Sequence, residues 1–201
     1  MKLLRIKFEK TSLAKYISHL DLSRVFARAL ARAKIEVAHS EGFNPRPKIV
    51  FASAIPLGIE SICEFADIKT PETQIFEKIK DVFPEGINIL GVYEPENNFK
   101  DIDRARFHIY IKAAFDISTS FDIIVEKKPG VNINLKDYIL ESNIIKSAEY
   151  NILDVTVKTN QEMYLNPENI VKGLKSNNKT EIEDYFIKKI EVYDKNNNIF
   201  A

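Results

Sequence analysis

From Leu3 to Phe8 apolar and basic residues alternate, with Leu4, Ile6 and Phe8 set against Arg5 and Lys7. That is the two-residue period of a half-buried strand. The period then changes. Between His19 and Ala33 the residues Leu22, Val25, Phe26, Ala29, Leu30 and Ala33 recur at helical spacing, with Ser18 placed as N-cap and Asp21 three residues on. Ile49 to Ala54 and Cys63 to Lys69 predict two strands joined through Pro56-Leu57-Gly58. Pro71 opens a second amphipathic helix to about Val82, carried by Ile75, Phe76 and Ile79. Gly86 ends it, and Ile87 to Tyr93 predicts a fourth strand.

The order β-α-β-β-α-β predicts a four-stranded antiparallel sheet with two helices on one face, the ferredoxin-like arrangement, over residues 1–95. Residues 94–103, with Pro95, Asn97 and Asn98 followed by charges, have the composition of a linker. From 104 to 201 a second α+β unit repeats the theme less clearly. Strands are predicted at Arg106 to Phe115, Phe121 to Glu126, Asn151 to Thr159 and Tyr185 to Tyr193. A turn falls at Pro129-Gly130, a short helix near Leu135 to Leu140 and another helix at Pro167 to Lys175. The fold class expected is α+β, two ferredoxin-like units in tandem, the second degenerate. Asn196-Asn197-Asn198 marks a frayed tail or a hairpin turn.

Composition narrows the class of protein. No run of about 18 apolar residues is present to span a bilayer, and the start Met1-Lys2-Leu3-Leu4-Arg5 meets charge too early for a secretory signal, so a cytoplasmic protein without membrane association is expected. The single Cys63 excludes an intrachain disulfide and any self-contained Cys-rich zinc or iron–sulfur site, and no cofactor is expected. The formal net charge of zero conceals an asymmetry. Residues 1–48 carry 11 Lys/Arg against 4 Asp/Glu, a net of +7, and residues 49–201 carry 18 against 25, a net of −7. A local positive field of that kind attracts phosphate or an acidic protein surface.

The most specific chemistry lies within that basic end, in Gly42-Phe43-Asn44-Pro45-Arg46-Pro47-Lys48. Two prolines fix φ at their own positions and push Asn44 and Arg46 toward extended conformations, so the loop loses little entropy on binding. Arg46 and Lys48 lie two apart and project to one side, a fork and a point charge for one anion. Phe43 either stacks on a base or plugs the sheet. Ser40 either hydrogen-bonds a phosphate or caps a turn. Arg24, Arg28 and Arg32, spaced by four, form a stripe away from the apolar face of the helix. His19 at the helix start and His39 before the loop are candidate acid/base groups, and neither has metal-ligand spacing. Asp21 pairs with Arg24 and offsets the helix dipole, or holds Arg24 for a ligand. No phosphate-cradling loop, nucleophile elbow or paired-His metal motif occurs.

The run from Phe8 to Asp67, with Ser18-His19-Leu20-Asp21-Leu22, Arg28-Ala29-Leu30, Ser40-Glu41-Gly42-Phe43-Asn44-Pro45-Arg46-Pro47-Lys48 and Pro56-Leu57-Gly58, resembles the bacterial radical-SAM-linked family of uncharacterised proteins. Ile133 to Leu140 and Asn166 to Leu174 are weaker signatures of the same family. The resemblance implies a partner, a radical S-adenosylmethionine protein encoded next to or fused with the chain, rather than a mechanism. The cysteines that hold such an enzyme's cluster are missing here, which places the chemistry on the partner. The expectation is a non-catalytic adaptor that binds RNA or another anionic ligand through residues 18–58, with His19, Arg24, Arg28, Arg32, Ser40, Phe43, Asn44, Arg46 and Lys48 as contacts. Two alternatives remain open. One is a metal-free RNA-processing enzyme using His19 or His39, by architectural similarity to CRISPR RNA-processing endonucleases. The other is a purely protein-docking subunit.

Overall fold

The computed structural model describes residues 1–113, 120–160, 162–178 and 182–200. The protein is a mixed α+β structure of mostly antiparallel strands with few helices, and the chain divides into two compact units, 1–99 and 100–200.

In the first unit the order is β1 (Lys2–Lys10), α1 (His19–Arg32), β2 (Ile49–Phe51), β3 (Glu60–Thr70), α2 (Phe76–Ile79) and β4 (Ile87–Tyr93). β1 pairs antiparallel with β3 on one side and β4 on the other, and β2 pairs with β3, giving the order β4-β1-β3-β2. Leu4, Ile6 and Phe8 face a core completed by Phe26 and Leu30 of α1, Ala66 and Ile68 of β3, Ile75, Ile79 and Ile87. Each large side chain removed from water there contributes about 1.5–3 kcal/mol. Phe26 sets its ring edge to face against Phe8, Phe51 and Phe83 at 4.8, 5.1 and 4.7 Å. The predicted second helix shrinks to the single turn Phe76–Ile79: Ile75 and Ile79 are fully buried, Phe76, Val82 and Phe83 pack half-buried against the same core, and Pro84 and the positive-φ Gly86 then turn the chain into β4.

The alternating pattern of β1 places Arg5 on the opposite side from Leu4 and Ile6, and a solvated side chain is the ordinary outcome there. Arg5 is instead 0% exposed. Its Nε and Nη2 donate to both carboxylate oxygens of Asp67 on β3 at 2.8 and 3.0 Å, while Nη1 and Nη2 donate to the side chain and carbonyl of Asn97. The Phe99 ring caps the guanidinium at 4.3 Å from its centroid. The first part of the segment with linker composition, to Phe99, is therefore built into the first unit as a lid over this ion pair, and its remainder from Lys100 belongs to the second unit.

In the second unit the elements are β5 (Ile102–Ala113), β6 (Ile124–Lys128), β7 (Val131–Asn134), β8 (Ile139–Lys146), β9 (Asn151–Lys158), α3 (Glu168–Asn178) and β10 (Ile182–Asp194). Their order in the sheet is β10-β5-β9-β8, all antiparallel, and β6 and β7 form a separate hairpin. β5 begins at Ile102, and the end of the predicted strand at Phe115 lies outside the described residues. Two sequence expectations fail. Leu135–Asp137 makes only a 3-10 turn, and Ile139–Lys146 is an edge strand rather than the end of a helix. Where the first unit has α1 between its first two strands, the second has the β6–β7 hairpin. α3 lies close on that hairpin because residue 173 is glycine: a Cβ there would sit 2.7 Å from Leu135 Cδ1 and 3.1 Å from Val125 Cγ1. The asparagine run forms a turn in which Asp194 accepts from the backbone of Asn196 and Asn198, returning Ile199 to pair with Tyr193.

Two measurements follow from this packing. Asp67→Ala strands a buried guanidinium and is expected to lower unfolding stability by about 3–5 kcal/mol in urea titration. The double change Arg5→Met with Asp67→Leu is expected to recover most of that loss. At the start of α1 the Ser18 hydroxyl accepts from the Asp21 amide at 3.1 Å, and Ser18→Ala is expected to lose about 1 kcal/mol. Hydrogen bonds from the Ser18 hydroxyl and then from Arg24 hold the Asp21 carboxyl below its ordinary value of 3.8. Its contribution is complete above that value and is lost as pH falls through the lower folded value. The difference in urea midpoint between wild type and Asp21→Asn is therefore expected in full at neutral pH and is expected to shrink as pH falls below the ordinary carboxyl value.

Candidate functional site

The basic loop is closed by its own backbone. The Ser40 amide donates to the Arg46 carbonyl at 2.8 Å, the Arg46 amide donates to the Ser40 hydroxyl at 3.0 Å, and the Lys48 amide donates to the Ala38 carbonyl at 2.7 Å. His39 and Pro47 face each other as an isolated antiparallel bridge between these bonds. The Ser40 hydroxyl thus accepts within the loop closure and keeps its own proton to donate. Gly42 takes φ +123° with open space around it, so glycine is needed there for backbone conformation and not for room.

The closed base pushes the tip outward. Phe43 is 106% exposed, which removes the sheet-plugging role and leaves a bare aromatic face in solvent. Asn44, Arg46 and Lys48 are exposed beside it, and the charged groups of Arg46 and Lys48 have no partner among the described residues.

The arginine stripe is less uniform than its spacing. Arg24 is paired with Asp21 at 2.8 Å, and Arg32 donates to the Val82 carbonyl at 2.6 Å, so both are partly committed to structure. Arg28 is exposed and without a partner among the described residues. Of the cations that the sequence singled out, Arg28, Arg46 and Lys48 have no partner among the described residues.

The two histidines occupy different settings. His39 stands at the base of the loop with Nδ1 2.9 Å from the Val37 carbonyl, a contact that requires the proton on Nδ1. His19 sets its ring edgewise on Phe51 at 5.3 Å and borders a cavity of about 10 Å³ with Lys10, Leu22, Ser53, Ile55 and Glu64. That volume is near the least that admits one water.

Behind His19 lies a buried polar group that the sequence did not announce. Lys10 is 2% exposed and donates to the carbonyls of Ile17 at 2.9 Å and Lys15 at 3.4 Å. The buried Glu64 carboxylate accepts from the Ser61 hydroxyl at 2.6 Å. Burial holds the Lys10 ammonium below its ordinary value, and the charge of Glu64 works against that shift. The signal was present in the alternation: Lys10 continues the series Leu4, Ile6, Phe8 on the core-facing side of β1, where a lysine has to find acceptors. Lys10 is also opposite Ser61 in the register, and Glu64 opposite Phe8.

No group of three or more His, Cys, Asp or Glu suited to a metal ion occurs among the described residues. Among these residues, no helix is long and apolar enough to cross a membrane. The described chemistry comprises a cationic and aromatic loop tip above a hydrogen-bonded base and, beneath the start of α1, a compact Lys–Glu–Ser group with a histidine at its edge. The comparison with curated proteins finds no match. A family model described as an uncharacterised protein conserved in bacteria, DUF2344, matches residues 3–167, covering the loop, both histidine settings and most of the second unit, and the chain belongs to that family.

Proposed function

We propose that this protein is a binding adaptor that holds RNA, or a comparable anionic ligand, through the loop between Gly42 and Lys48 and delivers it to a radical S-adenosylmethionine partner in the cytoplasm. The observation that carries this reading is the fully exposed Phe43 beside the unpaired Arg46 and Lys48 on a loop closed by its own backbone. An aromatic face flanked by cations is what a single-stranded nucleic acid asks of a surface, stacking for the base and charge for the phosphate. Pre-closure of the loop keeps the entropy lost on binding small. Arg28 adds a third unpaired cation on α1. The partner is supplied by the resemblance of residues 8–67 to the radical-SAM-linked family. The strand order β4-β1-β3-β2 supports a ferredoxin-like reading of the first unit. The matching order β10-β5-β9-β8 supports a second copy in which the hairpin stands where a helix would be.

The test is filter binding of the full chain to a short single-stranded RNA across a salt series. Removing Arg46 and Lys48 together is expected to weaken binding and to flatten the dependence of log K on log salt by about 0.7 per lost phosphate contact. Phe43→Ala is expected to weaken binding at every salt concentration while leaving that slope unchanged. Retention of RNA by the Arg46→Ala, Lys48→Ala double variant at the wild-type level would overturn the reading. Where the basic face instead docks an acidic protein surface, partner copurification persists after nuclease treatment and no RNA is retained.

A second reading, metal-free RNA processing, draws on the position of His19 at the edge of the Lys10 and Glu64 group. Incubation of RNA with the chain in chelator distinguishes it: cleavage that disappears in His19→Ala supports it, and intact RNA argues for the adaptor.

A further inference from the structure

The face of the second sheet that carries Arg106 and Asp154 holds a cavity of about 380 Å³, within the usual range of about 300–1,000 Å³ for small-ligand pockets. It is walled by side chains of four strands and one turn. Arg106 comes from β5, Asp154 from β9, Glu141 and Asn143 from the edge strand β8, Tyr193 from β10, and Asn197 from the turn that follows.

Among the described residues that line it, the cation Arg106 is already satisfied. Arg106 donates through Nε and Nη2 to both oxygens of Asp154 at 2.8 and 2.7 Å, and its Nη1 lies 3.4 Å from Glu191. The Asp154 carboxyl is accordingly held below the ordinary carboxylate range, first by the hydrogen bond from Arg106. Tyr193 donates its hydroxyl to Glu191 at 2.6 Å, leaving its ring as a wall. An anionic ligand would therefore find the guanidinium occupied and carboxylates around it.

What stays unused in the wall is of another kind. The Glu141 carboxylate has no partner among the described residues and can accept two hydrogen bonds side by side. Among the described residues the amide oxygen of Asn143 accepts from the neighbouring backbone, at Ile144, and its NH₂ group has no acceptor, which leaves it to donate. A carboxylate with two free acceptor positions, an amide donor close to it on the same strand and an aromatic wall suit a ring that bears two adjacent hydroxyl groups.

The geometry points to a binding site in the second unit for an uncharged vicinal diol, the sugar ring of a nucleoside or a free pentose, with Glu141 accepting both hydroxyls and Asn143 donating to a ring or hydroxyl oxygen. The site is separate from the basic loop and does not depend on what that loop binds. It selects by hydroxyl pattern and turns phosphate away.

The experiment is titration of the isotopically labelled full chain, followed by amide shifts of Asn143 and Asn197, with uridine, 2′-deoxyuridine, uridine 5′-monophosphate, ribose and putrescine. Saturable shifts are expected with uridine. Loss of the 2′-hydroxyl is expected to weaken binding about tenfold, the worth of one hydrogen bond to a charged group. The 5′-monophosphate is expected to bind more weakly than uridine. Glu141→Gln, an exposed change that leaves the core untouched, is expected to weaken uridine binding by a similar factor, while Arg46→Ala leaves it unchanged. Ribose binding as well as uridine assigns the site to a free sugar, and uridine binding alone assigns it to a nucleoside. No saturable shift with uridine or ribose, equal binding of 2′-deoxyuridine, preference for the monophosphate, or tighter binding of putrescine would each overturn the proposal.

Discussion

A guanidinium withdrawn completely from water is destabilising unless every charge and donor on it is met, and the first unit is organised around meeting that demand at Arg5. The bidentate contact with Asp67 ties β1 to β3, and the bonds to Asn97 with the ring of Phe99 bring the end of the unit back over them. One residue thereby fixes the pairing of two strands and converts a polar segment after β4 into a cover. A slip of one residue in the β1–β3 register would turn Asp67 to the opposite face and leave the charge unmatched. The buried pair therefore gives the sheet a single acceptable register as well as whatever net stability it contributes.

The opposite side of β1 obeys the same rule with different partners. Lys10 takes carbonyl oxygens from the turn before α1, and Glu64 takes the Ser61 hydroxyl. These bonds anchor the segment that leads into Ser18, so the cap of α1 and the position of His19 follow from polar satisfaction inside the unit. The aromatic contacts among Phe8, Phe26, Phe51 and His19 continue the same layer. A reactive reading of His19 and a structural one draw on the same atoms, since the exposed ring that lies edgewise on Phe51 is also the ring that borders the small polar cavity.

Against this interior the two surfaces differ in kind. The loop of the first unit leaves Arg46 and Lys48 unpaired and an aromatic ring in solvent, whereas the cation in the second unit's cavity is locked between carboxylates. Net charge along the chain hints at the first surface and conceals the second. The pairing of Arg106 with Asp154 joins residues 48 positions apart that become cross-strand neighbours only when β5 meets β9.

Periodicity alone determined much of the scaffold: β1 from its alternation, α1 from its apolar stripe and the Ser18 cap, and the order of elements in the first unit. These features are local, because they depend on φ restriction, side-chain spacing and capping within a few residues. Tertiary structure decided the rest. The second helix is one turn because Pro84 and Gly86 turn the chain into β4 a few residues later, and Ile139–Lys146 is a strand because β9 offers it a ladder although its own pattern is weak. Phe43 is bare because the loop base closes below it, and Arg5 and Lys10 are buried because their acceptors are distant in sequence or supplied by backbone. Burial and pairing are properties of chains brought together, and a list of neighbours along one chain does not contain them.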